Sequence, residues 1–112
     1  MPHRDLALLD AAARAADQVN ELIDRPSGQL LLHVKQMRDS VQSIAANIAE
    51  AFGRGTGRDR ARSLEIARGE TEETIQHLKA NFRVNRIAPQ DYWPRHNLLV
   101  VIVKMLDSFL RR

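Results

Sequence analysis

Apolar residues recur along this chain at steps of three and four, and no stretch sustains an alternation of period two, so the pattern predicts helices and no strands. Glycine and proline divide the periodic stretches into four. The first predicted helix covers residues 5–24. Leu6, Leu9, Ala13, Ala16, Val19, Asn20 and Ile23 fall on one face, with Leu8, Ala12, Ala15 and Leu22 as a second apolar stripe. It stops at Arg25-Pro26-Ser27-Gly28, because proline disfavours helical backbone in the residue before it.

Ser27 is the predicted N-cap of a second helix over residues 28–52. Val34, Val41 and Ile48 are spaced by seven, as are Leu30, Met37, Ile44 and Ala51, a heptad seam that packs at a shallow angle in bundles. Beside it runs a polar stripe with almost no charge: His33, Gln36, Ser40, Ser43 and Asn47. A solvated face would carry Lys and Glu, so this stripe is expected to meet another surface. From Ile44 to Gly53 the helix is small or apolar nearly all round, which predicts neighbours on several sides.

The third helix is predicted over residues 59–86, with Leu64, Ala67, Thr71, Ile75, Leu78 and Phe82 inward. Gly69 in its interior costs about 1 kcal/mol against alanine unless another backbone packs closely there. The fourth starts near Pro89 or at Pro94; either proline suits a first turn, and Pro94 deep inside a helix is disfavoured. Leu98-Leu99-Val100-Val101-Ile102-Val103 then covers every side of that helix. In a bundle this small one side would face water, so the run predicts an interface between copies of the chain. With the stripe on the second helix it supplies the two seams a ring needs. The expected architecture is an all-α, antiparallel up-down four-helix bundle, oligomeric, in one domain over residues 1–112.

Composition narrows the function. A chain of 112 residues buries a modest core, to which self-association would add. Aromatic residues make up only 4%, so that core is built from Leu, Ile, Val and Ala. Without cysteine there are no disulfides, thiolate metal sites or thiol nucleophiles, which fits a cytoplasmic protein. No secretory signal is visible at the N-terminus, and the longest apolar run is far below the ~20 residues that cross a bilayer.

Candidate chemistry is sparse. Of His3, His33, His77 and His96, one has a carboxylate at helical spacing, in the pair Glu73 and His77; a di-metal bundle needs two Glu-x-x-His motifs and two further glutamates. Gly53-Arg54-Gly55-Thr56-Gly57-Arg58 is glycine-rich and precedes a helix, but lacks the Gly-Lys-Ser/Thr ending and follows no strand, so it is expected to be a flexible turn. Ser43, Thr56, Ser63 and Ser108 have no triad context. No catalytic residue, metal or cofactor is expected. The net charge is +3, and Arg54, Arg58, Arg60 and Arg62 form a local cluster interrupted by Asp59. Lys35 and Arg38 on the second helix, with Lys79, Arg83 and Arg86 on the third, are further candidates for phosphate backbones. No recognition-helix or aromatic stacking motif is evident beside them.

Ser43-Ile44-Ala45-Ala46-Asn47-Ile48-Ala49-Glu50-Ala51-Phe52-Gly53-Arg54 closely resembles the signature of a four-helix-bundle family named for proteins encoded in intervening sequences of bacterial 23S ribosomal RNA genes. Leu64-Glu65-Ile66-Ala67-Arg68-Gly69, with Glu73 four residues on, matches a second piece; Ala51 stands where the family usually has glycine, and Glu70 where serine is common. The resemblance implies an up-down bundle assembled as a ring, typically a homopentamer, and kinship with the basic accessory protein of diversity-generating retroelements, which works with reverse transcriptase and nucleic acid. It implies no established activity for ordinary members. Asn47, Glu50, Arg54 and Glu73 are then expected as a structural signature, with Glu73 pairing with Arg54. The resulting expectation is a non-enzymatic homo-oligomer that binds RNA or DNA through Arg54, Arg58, Arg60 and Arg62, with Lys35 and Arg38. The alternative is a scaffold that docks a partner protein, without nucleic acid and without a membrane.

Overall fold

The four periodic segments form four α-helices in the computed structural model, which describes residues 2–54 and 57–111; the side chain of Arg54 lies outside the described set. They are α1 (His3–Asp24), α2 (Val34–Arg54), α3 (Gly57–Arg83) and α4 (Pro89–Leu110), with a 3₁₀ turn at Pro26–Leu30 and no strand among the described residues. Each helix packs on the next and α4 returns to α1, closing a ring of four around one core. The long dimension is 42 Å, close to the ~40 Å that the 27 residues of α3 span at the helical rise.

Both apolar stripes of α1 have helical period, and the structure selects the second. Leu8, Ala12, Ala15 and Leu22 are buried with Ala11, Val19 and Ile23, while Leu6 and Ala13 are exposed. The steps of four and three from Leu8 through Val19 to Leu22 make one continuous buried seam along α1.

The second helix begins later than its composition predicts. Gly28 folds against the end of α1 so tightly that a Cβ there would sit 1.8 Å from the Ile23 carbonyl oxygen, which only glycine avoids. Ser27 is exposed within the 3₁₀ turn and caps nothing, and Leu30 falls out of the heptad seam at 64% exposure. His33 takes a left-handed φ of 58°, and its carbonyl accepts the first turn of α2 from Met37 N–H at 2.9 Å. The segment before it is clamped by Asn81, buried on α3, whose amide accepts from Leu32 N–H (2.6 Å) and donates to the Leu32 carbonyl (3.1 Å). A side-chain amide can thus do for an irregular strand what a neighbouring strand would. From Met37 onward the heptad positions Val41, Ile44, Ile48 and Ala51 are fully buried.

Of the uncharged polar stripe, Ser40, Ser43 and Asn47 lie along the seam with α3, while His33 and Gln36 are exposed. Ser40 is buried and shares a 2.7 Å hydrogen bond with the buried Thr74, and Ser43 and Asn47 are half-buried along the same seam. Helix α3 ends at Arg83, short of the predicted 86, because Asn85 enters the left-handed region (φ 60°) and Arg86 N–H returns to the Asn81 carbonyl. Helix α4 starts at Pro89 and continues through Pro94, whose ring is exposed. The lost backbone bond is offset by what the helix buries beyond it: Leu99, Ile102 and Leu106.

Charge ties the helices together at two levels. Arg95 of α4 is only 8% exposed; its Nε donates to the Gln18 carbonyl of α1 and its Nη1 to the Asp91 carbonyl, both at 2.9 Å. Arg25 bridges Glu21 (2.7 Å) and Asp91 (2.9 Å) beside it. Nearer the other end, Arg68 of α3 pairs with Asp107 of α4 (2.5 Å) and with Glu72 (2.7 Å). No helix among the described residues is long and apolar enough to cross a membrane.

Two predictions follow from this packing. Beyond its chain neighbours and its own helix backbone, no atom lies within 4 Å of where a Cβ at Gly69 would stand, so no close approach of another backbone offsets its helix cost. Gly69→Ala should raise the unfolding free energy by up to ~1 kcal/mol in urea denaturation. The Asp107 carboxyl is held below its ordinary range by the hydrogen bond from Arg68, and Glu21 by that from Arg25. Both contribute stability above their unfolded pKa that is lost as pH falls through the depressed folded value. The contribution of these two pairs to the urea midpoint should therefore hold between about pH 7 and pH 5 and be lost below about pH 4, with a flatter acid limb in Asp107→Asn.

Candidate functional site

The signature residues divide between two parts of the α2–α3 seam. Asn47 donates to the Ser43 carbonyl (2.8 Å) and hydroxyl (2.9 Å), which orients its side chain within α2. It lines, with Glu50, Asp59, Arg62, Ser63 and Ile66, an open cleft of about 230 Å³ between the end of α2 and the start of α3. Glu73 is elsewhere. Ser40 meets Thr74, so Glu73 lies beside the first half of α2, whereas Arg54 is the last residue of that helix, ~20 Å further along. Arg54's side chain lies outside the described residues, and so does the expected Glu73–Arg54 pair. Glu73 approaches His77, Oε2 to Nε2 at 3.6 Å, too long for a hydrogen bond and leaving that buried nitrogen without one. The His33 ring stands 5.3 Å from His77. Burial, and secondarily Glu73, push the Glu70 carboxyl up from its ordinary range.

The basic candidates are likewise dispersed. Arg54's side chain and the loop residues Gly55 and Thr56 lie outside the described residues, while Gly53 and Gly57 belong to α2 and α3. Arg58 and Arg62 are exposed on the first turns of α3. Arg60 is turned inward, its guanidinium 4.9 Å from the Phe52 ring and 5.9 Å from Phe109, while Arg4 lies 4.1 Å over the same Phe109. These two arginines, with Asp5, rim a cavity of about 510 Å³ floored by Leu64, Phe109 and Leu110. Lys35 and Arg38 are at the opposite end of α2. Lys35 pairs with Asp39 (2.6 Å), and Arg38 reaches α1 at Asp24 (2.8 Å) and Asn20 (3.0 Å), so both are committed to ion pairs and Arg38 to the α1–α2 contact.

An aromatic cluster beside other cations escaped the sequence reading, because its rings come from two helices. Phe82 and Tyr92 stack at 4.1 Å with planes 2° apart, and His96 continues the column 5.4 Å from Tyr92. Trp93 stands against the side of this column, roughly perpendicular to all three rings at 5.8, 4.9 and 5.2 Å, and is 48% exposed. Lys79 and Arg83 lie one turn from Phe82 or adjacent to it on α3. Burial raises the Tyr92 phenol pKa, and the Arg83 charge opposes that shift. The signal in the sequence was the run from Thr74 to Gln90, which has Lys79, Arg83 and Arg86 and no acidic residue. No group of three metal-ligating side chains converges among the described residues.

The architecture defines an all-helical protein of four long helices around an aliphatic core. The chain belongs to the 23S rRNA-intervening sequence protein family, whose model matches residues 4–108, as the signature at residues 43–54 implied. It is similar to the crystal structure of a protein of unknown function from the S23 ribosomal protein family of Bacteroides thetaiotaomicron VPI-5482. The TM-score is 0.87 at 27% identity, covering 97% of this chain and 99% of that one. No curated protein matches it.

The geometry around Glu70 makes one prediction. Its raised folded pKa means that the charged form costs stability at neutral pH, a cost relieved as pH falls and the carboxyl protonates. Glu70→Gln should raise the urea midpoint at about pH 7, and the gain should shrink toward about pH 4, where the native carboxyl is itself neutral.

Proposed function

We propose that this protein is a non-enzymatic, cytoplasmic bundle of antiparallel up-down topology that assembles as a homo-oligomer, a homopentamer being the form its family resemblance implies, and binds RNA or DNA through exposed arginines. The observation that carries the binding half is the state of Arg58 and Arg62: both guanidinium groups are exposed, and no carboxylate among the described residues forms an ion pair with either. Guanidinium groups so placed suit phosphate oxygens. Arg60 contributes charge from its seat on Phe52 and Phe109, and Lys35 and Arg38, each already in an exposed ion pair, are secondary candidates.

Self-association rests on α4. Val101 points outward at 49% exposure, with Val100 and Val103 half-buried beside Ile75 on one flank and Leu98 and Met105 half-buried on the other. Val101 shares that outward face with the exposed Asn97, Lys104 and Ser108, and covering the valine and its half-buried flanks would add apolar burial. A second copy of the chain supplies such a cover at no cost in new sequence.

Light scattering should return a mass several times 12.7 kDa, and Val101→Lys should lower it. In fluorescence anisotropy with labelled RNA, affinity should fall at least tenfold between about 50 and about 200 mM salt. Arg58→Ala with Arg62→Ala should weaken binding and flatten that salt dependence. A monomer at micromolar concentration sinks the assembly half, and absence of binding at low salt sinks the other. A partner protein that survives nuclease treatment while RNA binding is absent would favour a docking scaffold.

A further inference from the structure

We infer that the surface around Trp93 is a binding site for single-stranded nucleic acid, in which a base stacks on the indole while Lys79 and Arg83 hold the neighbouring phosphates. The inference rests on the nucleic-acid reading above and gives it a second site at the opposite end of the bundle, with a preference for unpaired strands.

Three observations converge on it. The first is the indole itself. The Phe82–Tyr92–His96 column supports it along one side, and nearly half its surface is open. The neighbouring rings all meet it near perpendicular, so none occupies the parallel position that a base takes in a stack. It is also braced: Tyr92 beneath it is 2% exposed, which fixes the helix turn that presents Trp93. A rigid, half-open aromatic ring loses little entropy on stacking a base.

The second is charge. Lys79 and Arg83 form no ion pair among the described residues, and the run from Thr74 to Gln90 that contains them has no acidic residue. Asp91, next in the chain, is already bonded to Arg25 and adjoins Arg95. By contrast, Arg58 and Arg62 share their end of the bundle with Glu50, Asp59 and Glu65. Lys79 and Arg83 thus stand beside the aromatic cluster without an ion pair among the described residues, and cations beside an exposed ring are the arrangement that tracks a backbone while stacking its bases.

The third observation discriminates among occupants. A second copy related by a two-fold axis through this patch would bring Lys79 and Arg83 against their own duplicates, a like-charge contact that costs free energy; in a ring, whose contacts are heterologous, the patch would meet a different face. A duplex offers phosphates but keeps its bases stacked within the helix, so it cannot use Trp93. A single strand satisfies both ring and cations.

Trp93 is the only tryptophan, so the emission of the intact protein reports on this site alone. Single-stranded RNA and DNA of roughly 12 nucleotides should quench it saturably at about 50 mM salt, and a duplex of equal phosphate concentration should leave it nearly unchanged. By anisotropy, Trp93→Ala should weaken single-strand binding about tenfold and Trp93→Phe less, because phenylalanine retains a stacking face. Lys79→Ala with Arg83→Ala should weaken it comparably and reduce its salt dependence; all these side chains are exposed or half-buried, and circular dichroism checks that the helices persist. If single strands bind, need Arg58 and Arg62, and leave the emission of Trp93 unchanged, the stacking site is overturned and the arginine reading stands. If no strand binds at all, both fall. If Trp93 is shielded from acrylamide in the oligomer without nucleic acid, a second copy covers it and the proposal is overturned.

Discussion

A guanidinium buried between the first helix and the last is the constraint on which the arrangement turns. The α1–α4 contact joins the segments most distant in sequence and is the smallest of the four helix interfaces that close the ring. Apolar burial on α1 leaves much of the register open, since the buried Ala11, Ala12 and Ala15 offer little shape to discriminate one setting from another. Arg95 resolves it. A charge this buried is tolerable only where it has partners, and in this setting it donates to the Gln18 and Asp91 carbonyls, with the carboxylates of Glu21 (3.6 Å) and Asp91 (3.7 Å) within ion-pair reach. Desolvation pulls its pKa down against those carboxylates, the signature of a charge kept in place by its partners.

The rotation of α4 follows from that anchor. Arg95 and Tyr92 are three residues apart and share the inward face, so Trp93, one residue on from Tyr92, is turned outward by ~100°. The Phe82–Tyr92 stack and the exposed indole are thus two consequences of one helix setting. Packing of the first and last helices reaches the surface chemistry through this single turn of backbone.

A second polar device sets α2 against α3. Ser40 with Thr74, and Asn81 around the Leu32 backbone, are buried hydrogen bonds in an otherwise aliphatic interior, and each is satisfied in one register only. The family signature lies along this same seam, where Asn47 is bound to its own helix and Glu50 lines the cleft with Arg62. Glu70, at a position where the family commonly has serine, brings a carboxyl whose pKa is raised by burial and by Glu73. The seam therefore combines register control with unfavourable charge. The two ends of the bundle diverge as well: one mixes exposed arginines with carboxylates, and the other sets cations beside aromatic rings.

Much of this was legible in the residues. Helix number and approximate extent, the inward positions of α3 and the heptad seam of α2 from Met37 onward follow from short-range spacing, because helical period acts within a few residues, and the family followed from the resemblance of residues 43–54 to its signature. The start of α2 was not, since Gly28, His33 and Asn81 decide it through a close backbone approach and a clamp from 49 residues away. Nor was the choice between the two stripes of α1, which share a period and differ in what lies opposite. The basic residues were all visible as candidates, but their state was not: Asp24 on another helix neutralises Arg38, Phe52 and Phe109 engage Arg60, and Lys79 and Arg83 stand beside rings drawn from α3 and α4. Local sequence determined the helices and their apolar faces, because those depend on neighbours along the chain. Tertiary structure alone decided which charges are spent and which ring is exposed, because ion pairs and ring stacks form across helices whose register no local pattern encodes.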